Sequence, residues 1–539
     1  MTATSAPGVL KQFKSAFPAS SIQMDSVTGL PNSISGLDEK KPTKKLAATP
    51  EAAVSQVIDN PAFKALFPTI LYKPRASSLE RVTSYVDPTE PSSTIVTYRQ
   101  QIAGIPVFGS EAKFTVTTGE VGASVSSALF SLSPVSPEAK QEHKIQAPAA
   151  QSVAAAAYSQ LLEKDESFKR TEQIFQPAAP TPGGAELTMF DPAVLGSPKS
   201  AGLRPTWIVD VGSMVFFVDA NTGSVVHKYR KAHSLAPFNI VDFYNGQGAT
   251  VMAEGKAGPL TNIPPEASRA MQNAQKARAF FTSQQWTYLA PSTCSKNLQD
   301  PVAVELNIRV GQIQTSLWNS SSLAAYFAEG FGEEIDVVVH ELMHGVTEFA
   351  TCMYYDGDSG AVSEFLSDFF ATVIRDEQGM NPWVIGDQVP GFAPPQDPVR
   401  SFVEPHMKGF DKNLPYGATN RGQPQSLAEY VTIDDPICAT SDDHFNGCAH
   451  ENSGILNHAA YLTVVGWSSD KGSAIGIGRD KMVAILKASL PYMTPTTTLS
   501  KTALLLEERC VHLATLSSGI TISDCTTLTD AFKTVGLPR

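Results

Sequence analysis

The 539-residue sequence predicts an α+β fold in several domains, with small mixed modules in front and a larger region behind that turns mainly helical. Three observations carry this. Alternating apolar runs of strand type, Ser93–Gln101, Ala112–Thr117, Thr206–Val211 and Met214–Asp219, crowd the first 233 residues between helix-type stretches. Apolar runs compatible with helices, Ile335–Gly345 and Ala361–Phe370, lie in the back part, and helix patterns fill its tail. A hydrophobic share of 42% against 17% charged residues is ordinary globular material, enough for sizeable cores.

Taken in order, residues 1–50 are rich in Ser, Thr, Pro and Lys and read as an N-terminal extension. A first module, 51–135, carries a helix over Pro50–Phe67 and two strands joined through Gly104-Ile105-Pro106-Val107-Phe108-Gly109. A second module, 136–233, has a helix at Ala149–Glu163, a Pro/Gly-rich linker at Gln176–Gly184, two strands, a turn at Ala220–Gly223 and a last strand at Ser224–Tyr229. The next boundary falls between Arg230 and Asn239, where Lys231–Phe238 reads as exposed chain. Behind it, 234–350 contains a helix at Pro264–Phe281 and a strand at Val302–Arg309; 351–539 contains a helix at Ala459–Val465 and more over Thr502–Leu537.

Net charge is −12 with no basic stripe, which argues against a nucleic acid or an anionic membrane surface as partner. No apolar run approaches the roughly 20 residues of a membrane-spanning helix. The start, Met1-Thr2-Ala3-Thr4-Ser5-Ala6-Pro7, lacks the charged-then-apolar pattern of an export signal; either a signal was removed and replaced by Met1, or the chain is not exported by that route. All six cysteines lie in the second half. Local pairing favours Cys438 with Cys448 and Cys510 with Cys525, leaving Cys294 with Cys352, and buried free thiols are the alternative. Disulfides would place the protein in an oxidising, extracellular compartment.

The chemistry concentrates in His340-Glu341-Leu342-Met343-His344. On a helix the two histidines project from one face a turn apart, so both imidazoles reach one ion, with Glu341 beside it. Imidazole suits zinc, which in catalytic sites keeps three protein ligands and an open position for water; Glu341 would take a proton from the water that attacks a carbonyl. Downstream, Glu364 and Asp368 are again four residues apart among Phe365, Leu366, Phe369 and Phe370, and buried carboxylates need partners. One can complete a metal shell and the other can accept the free ring N–H of a ligand histidine.

Together, His340-Glu341-Leu342-Met343-His344-Gly345-Val346-Thr347 and the run from Gly360 to Asp368 resemble the thermolysin family of zinc metalloproteases, whose pattern is H-E-L-x-H-x-V-T followed at this interval by G-A-x-N-E-x-x-S-D. The resemblance implies a two-lobed zincin domain with a mixed α/β N-terminal lobe and a mainly α C-terminal lobe. It also implies two propeptide modules, the second PepSY-like, acting as an intramolecular inhibitor in the zymogen. His340, His344 and Glu364 become the zinc ligands, Glu341 the general base, and Asp368 the group that orients a ligand. His450, in Asn446-Gly447-Cys448-Ala449-His450-Glu451-Asn452, and Tyr355, nine residues before Glu364, match the family's pair that steadies the tetrahedral intermediate. Arg400 matches the arginine that holds a substrate carbonyl. Val337, Ile385, Val389 and Val399 would line the pocket for the residue after the cut, which predicts cleavage of polypeptides before Leu, Phe, Ile or Val. The resemblance implies a secreted, monomeric endopeptidase.

Departures from the family pattern set further expectations. Thr315-Ser316-Leu317-Trp318 stands for the substrate-binding Asn-Ala-x-Trp, and Ser363 for an asparagine. The aspartate that orients the catalytic histidine is matched by Phe445, so Asp443 or Glu451 would substitute, and the short span before His340 implies a lobe with fewer strands. Relatives bind two calcium ions through several carboxylates. Here Asp336 and Asp387 remain, but Arg375 and Val384 occupy partner positions, so the usual double calcium site is lost and Arg375 is expected to form a salt-bridged cluster with Asp336 and Asp387. Two other readings use the same residues: a proteolytically silent binding or inhibitory relative, and an intracellular relative that never matures.

Overall fold

The computed structural model describes residues 7–18, 20–24, 31–35, 49–66, 77–87, 92–117, 120–127, 143–164, 169, 182–192, 202–212, 214–230, 238–243, 249–253, 263–283, 304–311, 315–319, 324–389, 398–407, 409–418, 422–441, 446–469, 472–516 and 518–537. Strands dominate the front. A ten-stranded sheet runs from Ser21–Met24 through the long strands Ser93–Ile102 and Ile105–Thr117 to Val225–Arg230. The two front modules are therefore joined as one sheet, through a single parallel pair, Val107 with Met189.

Several boundaries differ from those the sequence suggests. Within the expected extension 1–50, the strand Pro31–Ser35 pairs with Glu120–Ser127, and Phe13, Phe17 and Ile34 are buried with Val54, Phe63 and Phe114 of the first module. The helix expected over Pro50–Phe67 is two, Pro50–Asp59 and Pro61–Leu66, because Pro61 has no N–H to continue the ladder and biases Asn60 to extended backbone. The expected Gly104–Gly109 connection is mostly strand; the hairpin turns at Ala103-Gly104, both at positive φ, as a tight two-residue turn requires. Most of the linker at Gln176–Gly184 and of Lys231–Phe238 lies outside the described residues.

Behind the modules, a five-stranded sheet is ordered Ala249–Ala253, Phe238–Asp242, Val304–Ile308, Ala324–Phe327, Ser316–Asn319. The helix Pro265–Ser283 packs on it through an alanine-rich face, Ala267, Ala270, Ala274 and Ala277. Small residues there let helix and sheet approach closely. Behind these come mainly helices: Ile335–Thr351 (the histidine helix), Gly357–Glu377 (the carboxylate helix), Ala449–Val465 (the cleft helix), Arg479–Ser489, Leu499–Thr515 and Ile522–Thr534, with two short strand pairs among them. The cleft helix starts ten residues before the Ala459 expected from periodicity. One apolar core runs from Ile308 and Phe327 through Leu342, Phe365 and Phe369 to Leu456, Leu486 and Phe532, so both lobes share it. Cys438–Cys448 and Cys510–Cys525 are disulfides; the third expected pair rests on Cys294, which lies outside the described residues.

The front sheet docks on the C-terminal lobe by specific contacts. Lys113 is buried, and its ammonium donates to the carbonyls of Pro491 at 3.1 Å and Met493 at 2.5 Å; burial pulls it down to about 8. Tyr492 O–H donates to the buried Asp87 at 2.6 Å. Phe108 stacks on Tyr354 with centroids 4.3 Å apart, and His227 Nε2 lies 2.6 Å from Asp356 Oδ2.

Candidate metal centre

The histidine helix and the carboxylate helix form a hairpin. Cys352 in the left-handed region ends the first, Asp356 starts the second, and Tyr355 lies in the link. Residues four apart share a helix face, so His340 and His344 point at Glu364 and Asp368 across the seam. Their donor atoms converge: His340 Nε2 to His344 Nε2 is 3.1 Å, His344 Nε2 to Glu364 Oε1 is 3.1 Å, and His340 Nε2 to Glu364 Oε2 is 3.4 Å. All three residues are buried, and one ligand atom from each lies within 4.8 Å of the others.

Two buried imidazole nitrogens that face each other beside a carboxylate make a set rich in lone pairs, and this set fits a zinc ion. The ring nitrogens facing away lie close to polar oxygens, as suits metal-binding histidines. His340 Nδ1 is 2.9 Å from Asp368 Oδ1, and His344 Nδ1 lies 3.1 Å from Ser363 Oγ and 3.2 Å from Ser367 Oγ. Electrostatics agree with a site for a cation. Burial alone would lower the His340 imidazolium, but the Glu364 charge and the contact with Asp368 outweigh it and push it up to about 10. Burial likewise opposes ionisation of Glu364, yet the charges of His450, Arg400 and the two ligand histidines hold it well below the usual carboxylate range.

The surrounding side chains divide by role. Glu341 is buried next to His340 on the same helix. Tyr355 O–H donates to Glu364 Oε1 and lies 3.2 Å from His450 Nε2, which is itself 3.3 Å from Glu364 Oε1. Arg400 donates from Nη1 to Asp368 Oδ1 at 2.6 Å and places Nη2 3.0 Å from Glu364 Oε2. The short strands Val384–Ile385 and Arg400–Ser401 pair, so Arg400, Val399 and Ile385 stand together, and Val389 and Val399 both crowd Gly386. Val337 joins them in the shared core. Ser316–Asn319 is the edge strand of the five-stranded sheet, beside the histidine helix. Arg375 donates to Asp336 Oδ2 at 2.6 Å and to Asp387 Oδ1 at 2.8 Å. Asp443 and Phe445 lie outside the described residues, whereas Glu451 is buried.

Three residues that sequence reasoning passed over belong here. Ser363 was counted only as a departure, but with Ser367 it contacts the outer nitrogen of His344. Asn457 donates to Asp368 Oδ2 at 2.8 Å. Its place seven residues after His450, two turns along one helix face, was the available signal.

A family model described as thermolysin metallopeptidase, alpha-helical domain, matches residues 351–537. The thermostable neutral protease NprT of Geobacillus stearothermophilus is 26% identical over 499 residues, covering 82% of this chain and 83% of that protein. Thermolysin of Alicyclobacillus acidocaldarius subsp. acidocaldarius is 33% identical over 245 residues, 44% of this chain, and the match spans 40% of that relative's length. Among solved structures, the precursor of protealysin, a metalloproteinase from Serratia proteamaculans, matches with a TM-score of 0.40 and 22% identity over 57% of this chain and 90% of that one. Among the described residues, no helix is long and apolar enough to cross a membrane.

Proposed function

From the premise that this chain is a thermolysin-family metalloprotease, we propose that it is the zymogen of a secreted, monomeric zinc endopeptidase that cuts polypeptides before bulky hydrophobic residues. The convergence of His340, His344 and Glu364 within 4.8 Å, on the helix that carries Glu341, is the observation that carries this reading. Zinc, when held there, supplies the Lewis acidity that acidifies a water and polarises a peptide carbonyl. Glu341 takes a proton from the attacking water and passes it to the departing amine nitrogen. Tyr355 and His450, neighbours at 3.2 Å, donate to the oxygen on which negative charge develops. Asp368 and Asn457 hold the His340 ring in place. Arg400 keeps N–H groups beyond those given to Asp368 and Glu364, and these can hold a substrate carbonyl. The apolar group of Val337, Ile385, Val389 and Val399 suits a branched or aromatic side chain, whose burial contributes about 1.5–3 kcal/mol.

The front modules act as the prosegment. They hold both neighbours of Tyr355, since Phe108 stacks on Tyr354 and His227 meets Asp356. Cleavage at Ser234–Leu235, outside the described residues, would separate them from the enzyme and fits the apolar pocket. The two disulfides suit an oxidising compartment. Arg375 takes the place of a calcium pair by holding Asp336 and Asp387.

The test is casein hydrolysis by the full chain with and without a zinc chelator, beside the Glu341→Ala variant. Chelation should abolish activity reversibly. Glu341→Ala should lose about 10²–10⁴-fold or more, keep its zinc and remain uncut. Retained activity in that variant overturns the mechanism, and N-terminal sequencing that places the natural cut outside residues 230–240 overturns the maturation site.

A further inference from the structure

The helix that carries His450 begins at a backbone position that L-residues avoid. Its N-cap, Cys448, is left-handed at φ 63°, with no side-chain cap hydrogen bond, and Gly447 before it is at φ 61°. A Cβ on Gly447 would fall 2.8 Å from the Gly357 amide nitrogen and 2.9 Å from Asp356 Oδ1, so only glycine fits there. Cys448 has a Cβ and no such licence. A residue in that region persists where its surroundings over-determine it.

The surroundings are explicit. Cys448 is bonded to Cys438 with a Cα–Cα distance of 5.7 Å, within the ordinary range. Both cysteines are fully buried with Val431 and Ile437, and Phe410 packs against them. Cys438 sits in the short helical turn Pro436–Ala439. The same loop clasps the first turn of the cleft helix twice more. Asn452 accepts the Val431 N–H and returns an N–H to the Val431 carbonyl, both at 2.9 Å. Gln423 Nε2 donates to the His450 carbonyl, and to Ser453 Oγ at 3.1 Å.

Gln423 thus holds the His450 carbonyl itself, and Asn452 anchors the helical turn that carries it. The His450 side chain is 42% exposed, and its Nε2 lies 3.2 Å from Tyr355 Oη, so the place where the helix starts bears directly on that contact. We propose that the Cys438–Cys448 disulfide is a positioning element for His450, fixing the left-handed start of the cleft helix so that the imidazole meets the reacting oxygen beside Tyr355. This rests on the reading of His450 as a donor to that oxygen. Displacement of a catalytic group by about 1 Å can cost on the order of 10²-fold in rate, which sets the scale of the effect.

The experiment is a double-mutant cycle on the full chain, with kcat, KM, zinc content and unfolding midpoint read for each protein. His450→Ala comes first: if kcat does not fall, the donor assignment itself is wrong, whatever the disulfide does. Given that fall, Cys438→Ala with Cys448→Ala should lower kcat about 10–100-fold, with KM and zinc content within about twofold of the parent. In the His450→Ala background the same pair should cost less than about twofold, because the group it positions is gone. Cys438→Ala with Cys448→Gly should recover part of the rate, since glycine takes the left-handed region freely. A disulfide-free protein with unchanged kcat overturns the proposal, and so does an equal loss in both backgrounds, which would mark a general structural role. Should neither pair fold, reduction of the folded parent and of His450→Ala by a phosphine, with thiol labelling to establish that Cys438 and Cys448 open while Cys510 and Cys525 stay bonded, yields the same two outcomes.

Discussion

The histidine helix presents two buried charge clusters one turn apart, and they solve the same electrostatic problem differently. At Asp336 the negative charge is met from within the chain: Arg375 reaches Asp336 and Asp387, donates from Nε to the Asn381 carbonyl at 2.8 Å, and is almost completely buried. Asp336 also accepts the amides of Val337 at 3.0 Å and Gly386 at 2.8 Å. Four residues on, His340, His344 and Glu364 converge as a candidate ligand set, and Arg400 meets this cluster from one side, with Nη2 3.0 Å from Glu364 Oε2 and Nη1 2.6 Å from Asp368 Oδ1. A cluster closed by a guanidinium has no position left for chemistry, whereas the second keeps a cation-sized position. On the proposed reading the first is framework and the second is a site.

Replacing Glu364 with Gln is the largest break in that comparison. It removes the anionic member of the ligand set, so zinc content should fall towards zero and casein hydrolysis to the level of the chelated protein. The metal-free unfolding midpoint should move less than in the Arg375 variant. A Glu364→Gln protein that holds stoichiometric zinc would show that the convergence is not the metal centre.

Arg375→Met should do the reverse. It leaves Asp336 and Asp387 without their cation, and breaking a buried pair from one side costs about 3–5 kcal/mol. Thermal unfolding should show that loss, while kcat of the folded fraction and zinc content change little. Millimolar calcium should not shift the unfolding midpoint of the parent protein, because Arg375 occupies the space between the carboxylates. A clear calcium-dependent rise in the parent would sink the idea that the arginine stands in for an ion.

The two clusters were not equally legible in the sequence. The histidine and carboxylate pairs could be read because spacing of four on a helix leaves little choice of face, and the aromatic neighbours of Glu364 signalled burial. The start of the cleft helix could not. His450-Glu451-Asn452-Ser453-Gly454 is polar and contains a glycine, so it shows no apolar stripe, yet Glu451, Asn452 and Ser453 are buried. Asn452 and Ser453 bond to the loop through Val431 and Gln423, and tertiary hydrogen bonds replace the apolar pattern on which periodicity depends. The joining of the front modules was hidden for a different reason. It depends on the pairing of Val107 with Met189 and on contacts such as Phe108 with Phe190 and Phe217, between residues far apart in sequence.

The smallest effect tests whether the first cluster is closed electrically as well as sterically. Glu334 precedes the histidine helix as its N-cap, without a side-chain cap bond. Burial, then the charge of Asp336, pushes its carboxyl up to about 7; Arg375 opposes this and Asp387 adds to it. The folded protein therefore holds this proton more tightly than the unfolded chain, whose carboxyl titrates near 4.5. Its contribution to stability is complete below that value and is lost as pH rises towards about 7, since the unfolded state then binds fewer protons than the native one. Glu334→Gln fixes the group neutral, so the unfolding midpoint of the variant should decline less steeply than that of the parent between pH 4.5 and 7. In Arg375→Met the opposing charge is gone, so the Glu334 carboxyl should rise further and the declining limb should extend to higher pH. Parallel curves for parent and Glu334→Gln across that window would mean that the folded protein does not raise the Glu334 carboxyl at all, and an unmoved limb in Arg375→Met would mean that the Asp336 cluster does not act on it.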